Sequence, residues 1–234
     1  MKVNISRAIK SISETINFYQ PLYESIVNSF QADASKIEII FNMSEENDKV
    51  IGYTLKDNGI GFTSRNIESF LELWSDYKID KFALGSGRIL CLKVFDNIII
   101  QSKTKDTLKE LGYKVDINFS RNFAASIIKD ADSGKFGDFR RVKNSSQESF
   151  TITCFTNIHN EYRKQYEKEI SNYDLEEIKE DIIIKLLPMF ISFEKNKKEF
   201  EIYLNGDLWL NKVNLKQYFD ELIFKDESFE ITKD

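Results

Sequence analysis

Proline and glycine are scarce in this chain of 234 residues, with two prolines and nine glycines. No Pro- or Gly-rich linker divides it, and each glycine is expected where its missing Cβ or its φ freedom is used. The two cysteines, Cys91 and Cys154, have no CxxC spacing. That pattern excludes a disulfide framework or a thiolate metal ribbon and fits a reducing compartment. Their apolar neighbours predict that both are buried and structural. A single histidine, His159, excludes a His–Cys metal cluster. Its polar surroundings, Asn157-Ile158-His159-Asn160-Glu161, predict a surface loop. No run approaches the ~18 consecutive apolar residues of a membrane span. The opening MKVNISRAIKSISETINF lacks the apolar stretch of a secretory signal, so no membrane association and a cytoplasmic location are expected. GxxxxGK[ST] occurs nowhere, which excludes the common phosphate-binding loop. A formal net charge of −5 exerts no general pull on nucleic acid. The densest basic cluster, Arg140-Arg141-Val142-Lys143, reads as a solvated loop.

What the chain does contain is enough apolar material, 41% of residues, for one sizeable core. Leu22, Ile26, Val27 and Phe30 follow helical spacing, and Pro21 suits the first turn of that helix. Residues 36–43 and 50–56 read as a β-hairpin around the polar loop SEENDK. Thr63 is a plausible N-cap for a helix to about Trp74, and residues 75–84 read as a loop. A helix is predicted over 86–95 and strands over 97–102, 112–119, 123–129 and 149–156, with 130–147 rich in loops. Residues 161–187 suggest two helices broken near 171–173. Asn205-Gly206-Asp207 then turns one strand into another. This order predicts an α+β fold, a two-layer sandwich with helices on one face of a mixed, mostly antiparallel sheet. One domain is expected over 1–213, with a charged amphipathic tail over 214–234.

Three segments carry chemistry. Glu24 and Asn28 are four residues apart, so a carboxylate and a carboxamide share a helix face away from the apolar stripe. Alone, that is the polar face of any amphipathic helix. Asp57-Asn58-Gly59-Ile60-Gly61 follows a strand. Its two glycines allow backbone to approach a flat ligand, and a buried Asp can accept from an exocyclic amine such as that of adenine. The same residues are also ordinary turn chemistry. Gly85-Ser86-Gly87 opens a helix, where unpaired N–H groups and the dipole favour phosphate. The third Gly of a dinucleotide fingerprint would fall on Leu90, so that motif is absent.

In this order and spacing the three segments resemble the GHKL superfamily of ATPases, which includes gyrase B, heat-shock-protein-ninety chaperones, histidine kinases and MutL. Residues 23–38, YESIVNSFQADASKIE, resemble the MutL segment of form ELVENSLDAGATRID. Residues 57–61 look like the family's DxGxG box, and 85–103, GSGRILCLKVFDNIIIQSK, are similar to the chaperone segment of form GVGFYSAFLVADKVTVTSK. The likeness is strong over 20–103 and thins beyond.

The resemblance implies the Bergerat-type sandwich and an ATP site with magnesium. Glu24 matches the general base that activates water and Asn28 the magnesium ligand. Asp57 matches the acid that reads adenine. Gly59, Gly61 and Phe62 lie on the adenine side, and Gly85, Ser86, Gly87 and Arg88 on the phosphate side. Residues 62–84 correspond to a mobile ATP lid, in which Lys81 and Lys78 are candidate phosphate contacts or solvated lid charges. Two positions depart from the family. Gln31 stands where Asp is common, and Ser149-Phe150-Thr151 stands where a Gly-Thr pair supports the adenine acid. Either Ser149 or Thr151 supplies that hydroxyl, or base recognition is looser. Histidine kinases carry Asn in place of Glu24, so Glu24 points to hydrolysis. The expected activity is slow hydrolysis of ATP to ADP and phosphate. The expected assembly is a nucleotide-dependent homodimer, or a partner subunit that completes the site. The expected setting is a larger chaperone-like, DNA-transaction or anti-phage defence protein. The alternatives are a nucleotide-binding regulatory module without turnover, or an interaction module.

Overall fold

The computed structural model describes residues 16–46, 49–71, 87–105, 112–120, 139–143, 147–169 and 174–226. In chain order these form α1 (Gln20–Gln31), β1 (Lys36–Met43), β2 (Val50–Asp57), α2 (Ser64–Leu71), α3 (Gly87–Val94), β3 (Phe95–Lys103), β4 (Tyr113–Ser120), β5 (Phe139–Lys143) and β6 (Phe150–Ile158). They continue with α4 (Asn160–Glu169), α5 (Leu175–Asn196), β7 (Glu201–Leu204), β8 (Asp207–Asn211) and α6 (Lys212–Asp226). The described strands make one eight-stranded sheet in the order β5-β4-β3-β6-β2-β1-β7-β8. β1 and β7 run parallel, and every other neighbouring pair is antiparallel. The mixed, mostly antiparallel sheet is therefore as the sequence leads one to expect.

Alternation along the strands sorts the sheet into two faces. Ile37, Ile39 and Phe41 of β1, Tyr53 and Leu55 of β2, Ile98 and Ile100 of β3 and Phe155 of β6 are buried on one face. There α1 packs on β2 and α3 on β3, while α1 also meets α3 and α5. Tyr53 centres an aromatic cluster, with ring centroids 4.8 Å from Phe155, 5.3 Å from Phe95 and 6.0 Å from Phe18. On the opposite face Ile40, Thr54, Cys154, Ile99 and Asn118 form one row across β1, β2, β6, β3 and β4. Ile40 and Ile99 in that row are exposed. Cys154 is thus half-buried on the open face rather than in the core, whereas Cys91 is buried as expected.

The C-terminal end of α1 is held by a second aromatic group. Phe30 meets Phe193 of α5 at 4.9 Å and Phe200, just before β7, at 5.7 Å. Lys198 donates from Nζ to the Phe30 carbonyl at 3.3 Å, placing a cation at the negative end of the helix dipole. α5 runs to Asn196, well past the predicted end at 187, with Pro188 inside it. An interior proline costs about 3 kcal/mol. Phe190 and Phe193, both buried beyond it, each recover about 2 kcal/mol of burial, so the helix continues.

Three further expectations change. The loop-rich stretch 130–147 contains β5, and Arg140-Arg141-Val142-Lys143 lies on that edge strand rather than in a loop. His159 lies in the connection between β6 and α4, a loop position as expected, but half-buried rather than on the open surface. Its side chain is 18% exposed, its Nδ1 lies 2.7 Å from Asp96 Oδ1, and its N–H donates to the Val94 carbonyl at 2.8 Å. It thereby ties the end of β6 to the α3–β3 junction. The predicted strand over 123–129 lies outside the described residues. No helix among the described residues is long and apolar enough to cross a membrane.

Candidate functional site

α1 is the element on which the site is built. Pro21 sits in its first turn, and Leu22, Ile26 and Phe30 bury one stripe. On the neighbouring face Glu24 is half-buried and Asn28 is exposed, one turn further along. Burial raises the Glu24 carboxyl above the ordinary carboxylate range, and a hydrogen bond from Gln20 Nε2 to Glu24 Oε1, 3.4 Å long, works against the rise. Cys91 lies on α3, the helix that Gly87 opens and that packs against α1. Its thiol is pushed up first by burial and next by the Glu24 charge.

Ser29, the residue after Asn28, links α1 to Asp57 at the end of β2. Its Oγ lies 2.9 Å from Asp57 Oδ2 and 3.0 Å from the Ser25 carbonyl, so one hydroxyl proton is shared between two acceptors. Asp57 Oδ1 accepts from the Gly59 N–H at 2.9 Å. Burial raises the Asp57 carboxyl, and these two hydrogen bonds, the one from Gly59 first, hold the rise back. Each carboxylate oxygen keeps a lone pair for a further donor.

The loop after Asp57 is fastened to the end of α1. Asn58 Oδ1 accepts from the N–H groups of Ser35 and Lys36, both at 2.9 Å, and the Ile60 N–H donates to the Ala32 carbonyl at 2.8 Å. A Cβ on Gly59 would lie 2.6 Å from the Ala32 carbonyl oxygen. Gly61 has φ +76°, and its Cβ would fall against the Lys103 carbonyl and 2.9 Å from Ser102 Oγ. Both glycines are thus required by the chain's own backbone, a stronger constraint than the ligand approach read from the sequence. Gly61→Ala is expected to destabilise the fold by about 2 kcal/mol or more, through left-handed strain and this contact. Urea denaturation measures it, and an unchanged midpoint would contradict the assignment.

β2, β6 and β3 bring three buried polar side chains into one row, Asp57, Thr151 and Ser102, through the pairs Asp57↔Thr151 and Ser102↔Thr151. Of the two hydroxyls expected near the acid, Thr151 takes the paired position and Ser149 precedes the strand. Ser102, like Ser29, is a residue that motif reading misses. Its signal was nonetheless available: it continues the inward alternation of Ile98 and Ile100, a hydroxyl where the pattern calls for an aliphatic. Ser102 Oγ accepts from the Phe62 N–H at 2.9 Å. The Phe62 ring stands 5.5 Å from Phe70 of α2, which reaches Phe119 of β4 at 5.3 Å. Thr63 Oγ1 caps α2, as expected, by accepting from the Asn66 N–H at 3.2 Å.

The described residues thus bring together Glu24, Asn28, Asp57, Gly59, Gly61, Phe62 and Thr151 around α1 and the inner sheet face, with Gly87 opening α3, which packs on α1. Lys78, Lys81, Gly85 and Ser86, and the side chain of Arg88, lie outside the described residues, as does most of the stretch 62–84. No cluster of three or more His, Cys, Asp or Glu side chains that could hold a metal occurs among the described residues.

Comparison with solved structures agrees with this architecture. The ATPase region of Saccharomyces cerevisiae topoisomerase II aligns with TM-score 0.51 and 14% identity, covering 91% of this chain and 52% of that one. The same region bound to ICRF-187 (dexrazoxane) aligns with TM-score 0.52 and 14% identity, covering 89% and 53%. The Aquifex aeolicus MutL ATPase domain complexed with ADP aligns with TM-score 0.42 and 14% identity, covering 96% and 70%. The chain spans about half the length of the topoisomerase structures. No curated protein sequence matches it. A family model for "Histidine kinase-, DNA gyrase B-, and HSP90-like ATPase" matches residues 16–151, more than half of the chain and the stretch that holds α1, the Asp57 loop and Thr151. The chain belongs to this GHKL family of ATPase domains.

Proposed function

We propose that the chain binds ATP with magnesium and hydrolyses it, with Glu24 as general base, Asn28 as the metal-side ligand and Asp57 as the reader of adenine. The observation that carries this reading is the double anchoring of α1. Through Ser29 it grips Asp57, and along its length it packs against α3, the helix opened by Gly87. A purine at Asp57 and a triphosphate running toward α3 would follow the length of this helix.

The chemistry of each group suits its role. Asp57 keeps acceptor capacity in a buried site, where an amino donor replaces lost water. Burial holds Glu24 above the ordinary carboxylate range, which makes it a stronger base toward a water aligned on the terminal phosphate. Asn28 is an exposed carboxamide one turn from Glu24, and its carbonyl oxygen suits a hard cation whose remaining ligands are phosphate oxygens and water. Magnesium, when bound, neutralises phosphate charge and leaves a more electrophilic phosphorus. The N-terminal N–H groups of α3 would hold phosphate oxygens beside it.

Differential scanning fluorimetry with ADP and magnesium tests the binding step. At a hundredfold excess over the dissociation constant, the folded state gains about 2–3 kcal/mol. A midpoint that ADP and ATP leave unmoved would overturn the reading. Binding without phosphate release would leave the regulatory module in its place.

A further inference from the structure

Ser102 has as many hydrogen-bond partners as a hydroxyl can serve, and the proton count has a consequence for Thr151. A serine hydroxyl has one proton and two lone pairs. Ser102 Oγ accepts from the Phe62 N–H at 2.9 Å, lies 3.0 Å from the Phe150 carbonyl, and lies 3.2 Å from Thr151 Oγ1. A carbonyl can only accept, so the single Ser102 proton goes to Phe150. The contact with Thr151 then has one polarity left: Thr151 donates and Ser102 accepts. With its proton spent on Ser102, Thr151 shows only lone pairs to anything else in the site.

Thr151 is cross-strand partner of Asp57 on the same sheet face, where paired Cβ atoms lie about 5 Å apart. Both side chains are buried. Two acceptors side by side suit the 6-amino group of adenine and oppose the 6-carbonyl of guanine. We propose that Ser102 is a specificity-determining residue: by taking the Thr151 proton it fixes the Asp57–Thr151 pair as acceptors and so selects adenine over guanine nucleotides. The proposal rests on the nucleotide-binding reading above and adds to it which residue sets the preference between purines and how.

Ser102 does not touch the base, so its removal must act through Thr151. In Ser102→Ala the Thr151 hydroxyl is released, can rotate and can donate to a guanine carbonyl. The preference for ADP over GDP is expected to narrow about five- to tenfold, the worth of one hydrogen bond of reversed polarity. Thr151→Val removes the second acceptor and is expected to narrow the same ratio. The double variant should then narrow it no further than Thr151→Val alone, because the Ser102 effect has lost its carrier.

Isothermal titration of wild type and the three variants with ADP and with GDP provides the readout. A purely structural role for Ser102 would weaken both nucleotides equally and leave the ratio unmoved, which would overturn the proposal. Narrowing in the double variant equal to the product of the two single effects would overturn it too. Failure of wild type to bind either nucleotide would instead strike the nucleotide-binding reading itself. Should Ser102→Ala not fold, Ser102→Cys, a near-isostere with a weak donor, carries the same expectation and the same overturning result.

Discussion

Glu24→Gln is expected to lower ATP turnover by a factor of about a hundred or more while changing the ADP dissociation constant by less than about threefold. The carboxamide keeps the shape of the side chain, so α1 and its contact with α3 stay as they are. It can still accept from Gln20 Nε2, the 3.4 Å partner of the native carboxylate. What it cannot do is take a proton from water. Burial also gives the wild type a particular pH dependence. The Glu24 carboxyl titrates above the ordinary carboxylate range, so turnover should climb with pH through that raised pKa, and this acid limb should vanish in the variant's residual rate. Steady-state phosphate release across pH measures both effects. Equal rates in wild type and variant would remove Glu24 from the reaction while leaving binding intact. A parallel loss of affinity and rate would mean that the glutamate holds nucleotide rather than activating water.

Much of this arrangement is legible in residue patterns because the forces behind it are local. Alternation gives β1, β2, β3 and β6, and the 22–26–30 stripe gives α1, since each needs only its own side chains to show which face is buried. β5 escapes because FRRVK has no apolar alternation, and its identity as a strand comes from the edge that β4 offers. The length of α5 escapes because Pro188 is a local stop signal, overridden by burial of Phe190 and Phe193 against Phe200 and Phe30, which lie outside the helix. The site divides the same way. Glu24, Asn28 and the Asp57 loop are contiguous motifs. The row Asp57–Thr151–Ser102 exists only through pairing of residues about 95 and about 50 positions apart in sequence, so no local window contains it. The glycines show the reverse case, where a local motif is visible but its main physical cause, packing on Ala32 and Lys103, is not.

Asp57→Asn is expected to separate stability from function in opposite directions. The native carboxylate is buried and its pKa is raised, so the folded state bears a cost for keeping it charged. An asparagine can keep both local hydrogen bonds: its Oδ1 accepts from Gly59, and its Nδ2 donates to Ser29 Oγ. It removes the buried charge. The unliganded variant should therefore melt no lower than wild type near neutral pH, and higher if the desolvation cost dominates. The sign with pH follows from proton linkage. Between the unfolded and the raised folded pKa the native state binds more protons than the unfolded state, so the Asp57 contribution to stability grows as pH falls through the folded pKa and shrinks as pH rises. The difference between variant and wild type should accordingly be largest at neutral pH and close on the acid side. Adenine binding goes the other way. The amide turns a donor toward the 6-amino group where an acceptor is needed, and affinity for ADP should fall on the order of a hundredfold. Melting curves with and without ADP, taken across pH, contain the whole test. A variant that melts well below wild type while still shifted by ADP would place Asp57 in the scaffold and not in the reading of the base.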